Sequence, residues 1–214
     1  MYKDREEAGE QLTLKLRKII TGDEFVVVAL LRGGIVLGKI IADYFKIPLF
    51  SLSVKKIGAP LNSELAIGAV TFNKIYYFDE YLIKYLDVDQ KYIKNSLESK
   101  GKEAETLQKK FPTTLALRGA SKISLRSKRV VVVDDGVATG TTVICAVKYV
   151  RNAQPKEIIL ATPVIAKDSL KTIKSHFDRI ISLRIINNLT SVSQFYKHFP
   201  QVTDEEAIEI LNSK

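Results

Sequence analysis

Residues 130–142 read VVVVDDGVATGTT, and this run decides the predicted fold. Its four consecutive β-branched residues indicate a strand that is buried on both faces, as in a parallel sheet. Asp134 and Asp135 follow where the strand ends, and a helix is predicted over residues 143–150 after a turn of small and hydroxyl residues. The open end of such a strand, beside a helix N-terminus, is where α/β proteins bind ligands.

The chemistry of this run suits a phosphorylated sugar. Free backbone N–H groups and the positive end of a helix dipole favour a phosphate, whereas two adjacent carboxylates suit sugar hydroxyls or a hydrated magnesium ion. The usual nucleotide-binding motifs fit poorly. The run lacks the P-loop pattern G-x-x-x-x-G-K-[ST], and Gly33, Gly34 and Gly38 do not have the G-x-G-x-x-G spacing of a dinucleotide-binding loop. A buried strand before a Thr-capped helix also occurs without any ligand, but the tandem acids followed by ATGTT favour a binding site.

Length and composition predict a single domain over residues 1–214 with one well-buried core. Cys145 is the one cysteine and cannot form an internal disulfide, which favours a reducing cytoplasm. The N-terminus is charged, and no stretch approaches the roughly 18 apolar residues of a membrane span. The net charge of +9 would attract a sugar phosphate or a nucleic acid, or only reflect a solvated surface. The lysines are spread along the chain without the dense block of a nucleic-acid tail.

Strands that alternate with helices predict an α/β fold with a doubly wound, mainly parallel sheet, formed by residues 25–72 and 128–186. Helices are predicted over residues 4–20, 35–45, 87–110, 168–176 and 203–211, in addition to 143–150. Strands are predicted over 25–31, 48–54, 130–133, 158–164 and 178–183, with a hairpin or two short strands over 66–72 and 74–78. The remaining predictions are a mobile loop over 57–65, a further loop over 111–129, a helical lid or insert over 79–125, and a hood from the N-terminal helix and residues 187–214.

Two further segments carry candidate site residues. Arg32, Gly33 and Gly34 follow the first predicted strand, where the glycines let backbone N–H groups approach a ligand and the arginine adds a fixed positive charge. Alone, this is most often a tight turn. Residues 55–60 read KKIGAP, in which Gly58 and Pro60 fit a hinged loop, although lysines that are only solvated at a strand end would give the same pattern.

Together these motifs resemble the type I phosphoribosyltransferases, in which a hydrophobic strand carries two acids and a T-G-x-T-type phosphate loop. The resemblance continues through a poorly characterised branch of the family, with D-R-x-x-A-G at residues 4–9, KIGAP at residues 56–60 and Phe195-Tyr196 near the end. It implies that the KIGAP segment is a flexible lid that excludes water from a reactive donor. The resemblance weakens over about 74–128, and Leu31 stands where many relatives have proline.

The resemblance implies how the site is divided. Asp134 and Asp135 would hold the ribose hydroxyls of phosphoribosyl pyrophosphate (PRPP) and, directly or through water, Mg²⁺. Arg32 and Lys56, with the Gly33–Gly34 backbone, would hold the pyrophosphate. The residues that would surround the 5′-phosphate are Gly136, Val137, Ala138, Thr139, Gly140, Thr141 and Thr142. Tyr196, with its aromatic neighbours, would stack on a base in the hood, or else only pack the terminal helix.

The implied function is a Mg²⁺-dependent pentosyltransferase of nucleotide salvage that moves the 5-phosphoribosyl group from PRPP to a nitrogen nucleophile, a nucleobase, and releases pyrophosphate. A homodimer is the family's usual assembly. Ala138 stands where hypoxanthine–guanine members carry a carboxylate, which disfavours that substrate class. The alternative is a PRPP-sensing regulator that binds nucleic acid; the complete acid pair and the lid segment favour catalysis. A PRPP-making pyrophosphokinase would need a separate ATP site, which the sequence does not suggest.

Overall fold

The computed structural model describes residues 1–111 and 124–213, so residues 112–123 of the loop predicted over 111–129 lie outside the described part. Its helices are α1 (Arg5–Leu16), α2 (Gly33–Phe45), α3 (Glu80–Tyr85), α4 (Gln90–Lys110), α5 (Thr141–Arg151), α6 (Lys167–Ile173) and α7 (Asp204–Asn212). Its strands are β1 (Phe25–Leu30), β2 (Leu49–Leu52), β3 (Val54–Ala59), β4 (Asn62–Thr71), β5 (Tyr76–Phe78), β6 (Arg129–Val133), β7 (Glu157–Ala166) and β8 (Arg179–Ile186). None of the helices described is long and apolar enough to cross a membrane.

Five of these strands form a parallel sheet in the order β2-β1-β6-β7-β8. The valine run lies in its centre, where alternate side chains enter opposite cores. Val131 and Val133 face the core formed with α1, α2 and α7, whereas Val130 and Val132 face the core formed with α5. Both faces of the sheet are therefore covered, and the predicted doubly wound α/β fold is confirmed.

The order of the strands reverses between β1 and β6. From β1 the chain proceeds outward to β2 on one side, and from β6 it proceeds through β7 to β8 on the other. Because ligands of open α/β sheets bind at the carboxyl edge beside such a reversal, the segments that follow β1 and β6 mark the expected site. These segments are Arg32–Gly34 and Asp134–Gly140, the two that the sequence singles out.

A second, antiparallel sheet has the order β3-β4-β5. The hairpin predicted over 66–72 and 74–78 is confirmed by the pairing of β4 with β5. The mobile loop predicted over 57–65 is wrong, because β3 and β4 pair through a tight turn at Pro60 and Leu61. The apolar side chains of Ile57 and Ile67 are buried in the core of this sheet. The register shifts at Gly58, so the turn signals in this segment belong to a β-bulge and a hairpin turn.

The strand predicted over 48–54 is divided between the two sheets, with β2 ending at Leu52 and β3 starting at Val54. Gln108 of α4 binds the main chain where the strand passes from one sheet to the other. Its side chain accepts a hydrogen bond from Ser53 N at 2.8 Å and donates one to Ser51 O at 3.0 Å. The helix packs against β3 and β4 of the small sheet. The prediction of an edge helix or a lid over this segment stays a prediction.

The start of the chain pairs with the segment that follows β8. Tyr2 N donates a hydrogen bond to Phe195 O at 2.7 Å, and Lys197 N donates to Tyr2 O at 2.8 Å. The first helix is shorter than predicted, ending at Leu16, and Asp4 caps it by accepting from Glu7 N at 2.9 Å. The start of the chain thus lies beside the segment after β8, while the apolar side chains of α1 pack on one face of the sheet.

Candidate active site

The turn after β1 lies directly against the acid pair after β6. A Cβ on Gly33 would overlap Oδ2 of Asp135 and lie 2.7 Å from its Cγ, and a Cβ on Gly34 would lie 2.7 Å from the carbonyl oxygen of Val133. Real Cβ atoms do not approach other atoms this closely, so glycine is required at both positions. The peptide bond between Leu31 and Arg32 is cis. The two motifs, about a hundred residues apart in the sequence, form one site.

The acid pair is held on several sides. Oδ2 of Asp135 accepts a hydrogen bond from Arg5 Nε at 2.7 Å, and its carbonyl oxygen accepts one from the Tyr196 hydroxyl at 2.7 Å. Oδ1 of Asp134 accepts from Asp135 N at 3.0 Å. Burial raises the pKa of Asp134 well above its ordinary value, and the neighbouring Asp135 charge raises it further. Burial also raises the pKa of Asp135, although the Arg5 guanidinium opposes this shift. Both shifts favour the neutral forms of these half-buried carboxyls, an effect that a bound cation would oppose.

The predicted phosphate loop joins β6 to α5. Val137 is fixed by hydrogen bonds from its N–H to Val164 O and from Ala166 N to its carbonyl, both at 2.9 Å. Gly140 is the N-cap of α5 and has a φ of +83°, a conformation that glycine adopts without strain. Because Gly140 has no side chain to cap the helix, the N–H groups of the first turn are available to a bound anion.

Hydroxyl groups complete this loop. Oγ1 of Thr139 and Oγ1 of Thr141 lie 3.2 Å apart, and the Ser169 hydroxyl donates to the carbonyl of Ala138. A Cβ on Gly136 would overlap the side chain of Val192, so this position also requires glycine. The predicted phosphate-binding residues are thus brought together as one turn at a helix N-terminus.

A basic cavity of about 480 Å³ adjoins the turn after β1. Arg32 Nη1 lies 3.1 Å from Asp204 Oδ1, and Lys110 Nζ lies 2.6 Å from Asp204 Oδ2. Lys55 lines the same cavity and is half-buried, and burial together with the Arg32 charge lowers the pKa of Lys55. The residues that line the cavity are Arg32, Lys55, Ser99, Lys102, Glu103, Thr106, Leu107, Lys110 and Asp204.

The lysine predicted to reach the pyrophosphate does not line this cavity. Lys56 Nζ forms an exposed ion pair with Glu64 Oε2 at 2.8 Å across the hairpin of β3 and β4. Adjacent residues of a strand point to opposite faces, so Lys55 takes the inner position. The role of Lys56 stays a prediction, and Lys55 is a candidate that the sequence reasoning passed over.

Tyr196 is 5% exposed. Its ring centroid lies 5.4 Å from that of Tyr2 and 4.6 Å from that of Phe199, and its hydroxyl points to the main chain of Asp135. In this structure the ring packs against these two neighbours, and its stacking on a base stays a prediction. Burial raises the pKa of Tyr196, so its hydroxyl keeps its proton and acts as a donor at neutral pH.

Arg5 and Asp204 are the site residues that sequence reasoning missed. Arg5 belongs to the D-R-x-x-A-G segment, which supported the resemblance without suggesting a contact. Asp204 lies in the first turn of the predicted terminal helix, where an acidic residue is explained by the helix dipole alone.

The donor set fits a magnesium ion that is shared with substrate. Asp134 and Asp135 supply two carboxylates, and within residues 1–111 and 124–213 no group of three His, Cys, Asp or Glu side chains could hold a metal ion. Magnesium commonly takes one or two protein carboxylates and completes its coordination with water and substrate phosphates. The residues present match that mode.

Comparisons with known proteins agree with this geometry. A family model described as "Phosphoribosyl transferase domain" matches residues 2–196. Two proteins of Mycobacterium tuberculosis, from strains CDC 1551 / Oshkosh and ATCC 25618 / H37Rv, are named as candidate phosphoribosyl transferases. Each is 28% identical over 212 residues, which is 99% of this chain and 46% of the relative. The chain therefore spans about half the length of these curated relatives.

Solved structures share the fold. The crystal structure of TT1426 from Thermus thermophilus has a TM-score of 0.76 and 28% identity, with 98% of this chain and 97% of that chain covered. The AQ2163 protein from Aquifex aeolicus has a TM-score of 0.54 and 15% identity, with 87% of this chain and 77% of that chain covered. The second likeness concerns the fold alone.

Proposed function

The chain belongs to the phosphoribosyl transferase domain family, and from that membership we propose that it transfers the 5-phosphoribosyl group of PRPP to a nitrogen nucleophile, a nucleobase, with release of pyrophosphate. The observation that carries the proposal is the contact between Gly33 and Asp135 at the reversal of strand order. This contact joins a pair of carboxylates, a phosphate loop and a basic turn at one carboxyl edge. A donor that carries a ribose, a phosphate and a pyrophosphate needs these three features together.

Each part of the donor has a partner in the proposed complex. Asp134 and Asp135 accept hydrogen bonds from the ribose hydroxyls, and the N-terminus of α5 with its threonines binds the 5′-phosphate. Arg32 and the main chain of Gly33 and Gly34 bind the pyrophosphate. Two lysines are candidates to assist them. The family resemblance assigns this role to Lys56, whereas Lys55 lines the basic cavity.

The chain's own residues act mainly by positioning. When Mg²⁺ is bound, it supplies positive charge that offsets the charge developing on the pyrophosphate. The bond between C1 of the ribose and the pyrophosphate oxygen breaks with oxocarbenium character, as in glycoside chemistry, and the acceptor nitrogen bonds to C1 in its place. Fixed contacts at the ribose and the 5′-phosphate keep C1 aligned between the nucleophile and the leaving group, and Arg32 stabilises charge on the departing oxygens.

Three finer statements belong to the same proposal. The small side chain of Ala138 favours an acceptor other than a 6-oxopurine of the hypoxanthine–guanine type. The buried thiol of Cys145 suits a reducing cytoplasm, where nucleotide salvage takes place. A homodimer is expected from the family.

The test is pyrophosphate release from PRPP and Mg²⁺ with a panel of nucleobases and amines. We expect release with at least one acceptor, and a loss of at least a hundredfold in Asp135→Asn. Asp168→Asn is the matched control, because that carboxylate is exposed and forms a surface ion pair with Lys171. No release with any acceptor, together with PRPP-dependent binding of RNA or DNA, would overturn the proposed transferase activity. It would favour a PRPP-sensing regulator that binds nucleic acid, which the net charge of +9 permits.

A further inference from the structure

Arg5 connects three distant parts of the chain. It lies in the first turn of α1 and is 8% exposed. Its Nε donates to Oδ2 of Asp135 at 2.7 Å, and its Nη1 donates to the carbonyl oxygen of Pro200 at 2.7 Å. The guanidinium carbon lies 3.6 Å from the centre of the Phe199 ring. Two nitrogens of the guanidinium thus donate hydrogen bonds and one of its faces stacks on a ring.

From this geometry we propose that Arg5 is a positioning residue that holds the Asp135 carboxylate in the orientation that receives the ribose hydroxyls of PRPP; this inference rests on the proposed function. A carboxylate has about four lone-pair sites, so the bond from Arg5 leaves acceptor capacity for a substrate hydroxyl. Arg5 acts through Asp135 and does not itself need to contact the substrate.

The packing around Asp135 supports a fixed orientation. A Cβ on Gly33 would overlap Oδ2 and would lie 3.1 Å from Arg5 Nε, so the carboxylate is enclosed between the turn after β1 and the guanidinium. The main chain of Asp135 is held separately by the Tyr196 hydroxyl. Groups whose side chains are locked by neighbours give a site that is preorganised for its ligand.

Arginine suits this role better than lysine. The planar guanidinium donates in two directions within its plane while its face stacks on an aromatic ring, whereas an ammonium group cannot do both. Arg5→Lys keeps the positive charge beside Asp135 but loses the bond to Pro200 or the stacking on Phe199. The proposal therefore predicts an intermediate effect for lysine and a larger one for glutamine.

A double-mutant cycle separates positioning from a structural role. PRPP affinity is measured by titration calorimetry with Mg²⁺ for the unaltered protein, Arg5→Gln, Asp135→Asn and the double variant, and folding is checked by thermal unfolding. We expect Arg5→Gln to weaken PRPP binding about tenfold or more, and to weaken it less than about twofold when Asp135 is already asparagine. Arg17→Gln, at the exposed end of α1, is the control and should bind PRPP normally.

Steady-state kinetics gives a second readout. Because the ribose hydroxyls are held in both the ground state and the transition state, Arg5→Gln should raise the KM for PRPP more than it lowers kcat. Equal PRPP affinity of Arg5→Gln and the unaltered protein would overturn the inference, and so would an equal loss in both Asp135 backgrounds. If Arg5→Gln does not fold, the same cycle is run with Arg5→Lys. Failure of the unaltered protein to bind PRPP would overturn the proposed function and this inference with it.

Discussion

Arg32 Nη1 lies 3.1 Å from Asp204 Oδ1, so the cation of the turn after β1 already has a carboxylate partner. The other oxygen of Asp204 lies 2.6 Å from Lys110 Nζ. One carboxylate at the start of α7 therefore joins two cations of the basic cavity. A pyrophosphate bound at this turn would compete with Asp204 for both of them.

Asp204→Asn is expected to tighten pyrophosphate binding about three- to tenfold, or about 0.7–1.4 kcal/mol, because Arg32 and Lys110 lose their internal counter-ion. Titration calorimetry with magnesium pyrophosphate measures this change. Glu205→Gln is the matched control, since it removes an exposed acidic residue from the same helical turn. Weaker binding by Asp204→Asn would instead mean that Asp204 orients Arg32 for its ligand.

Asp204 should also contribute to stability in a pH-dependent way. Its hydrogen bond from Lys110 is the main cause that lowers the pKa of Asp204 below its ordinary value, and burial partly opposes this. A carboxylate with a lowered pKa stabilises the fold above its unfolded pKa of about 3.9, and this contribution is lost as the pH falls through the folded value. Urea unfolding at pH 7, 5 and 3 should show a difference between the unaltered protein and Asp204→Asn that shrinks at pH 3. A difference that grows on acidification would contradict the assignment.

Gly33→Ala should weaken PRPP binding about a hundredfold, since the added Cβ overlaps Oδ2 of Asp135 and must displace that carboxylate. Gly101→Ala is the control within α4, because there the nearest atom to a Cβ is Val70 Cγ2 at 4.0 Å. That control should be more stable by about 0.5–1 kcal/mol, as alanine is favoured over glycine inside a helix. Binding constants and denaturant midpoints test both variants, and normal PRPP affinity in Gly33→Ala would refute the close contact.

The two neighbouring lysines of β3 can be distinguished directly. Lys55→Gln should weaken pyrophosphate binding about tenfold, or about 1.4 kcal/mol, because Lys55 lines the basic cavity with Arg32. Lys56→Gln should change it less than about twofold, since its ammonium is exposed and paired with Glu64. Product inhibition by pyrophosphate measures both. The reverse order of effects would restore the role that the family resemblance gives to Lys56.

Cys145 should be unreactive in the folded protein. Burial raises the pKa of this thiol to about 12, and its Sγ lies 3.3 Å from the carbonyl oxygen of Ile75. Because the thiolate is the reactive form, a disulfide reagent at pH 8 should modify the native protein about a hundredfold more slowly than the urea-unfolded protein. Because the chain has one cysteine, the measured rate of modification reports on Cys145 alone. Complete modification of the native protein within seconds would contradict this burial.

Local patterns in the sequence predict the central sheet and the phosphate loop well. The valine run is apolar over its whole length because both faces of the sheet are buried at its centre. The order of the strands, however, depends on which buried edges pair, and β1 pairs with β6 across four intervening strands of the chain. The reversal point that brings the motifs together is thus a property of the tertiary fold.

The errors also have physical causes. In the hairpin of β3 and β4, Gly58 and Asn62 are residues typical of loops and led to the prediction of a loop. Burial of apolar side chains under the small sheet stabilises the strands there in spite of the bulge at Gly58. Arg5 and Arg32 contact carboxylates that lie 130 and 172 residues away, distances at which no local pattern operates. Lys55 and Lys56 are neighbours in one strand, so their side chains point to opposite faces of the sheet. The sequence alone does not tell which of the two faces the basic cavity.

The pairing of Tyr2 with residues 195–197 has a consequence for biosynthesis. All strands of the central sheet precede residues 195–200 in the chain, so they are synthesised before that segment. Until then Arg5 lacks the Pro200 carbonyl and the Phe199 ring, and Asp135 lacks the Tyr196 hydroxyl. A chain truncated before residue 195 would carry every residue of the phosphate loop but would lack these three contacts around the acid pair. Residues 196–200 therefore supply contacts that position Arg5 and Asp135 without themselves belonging to the phosphate loop.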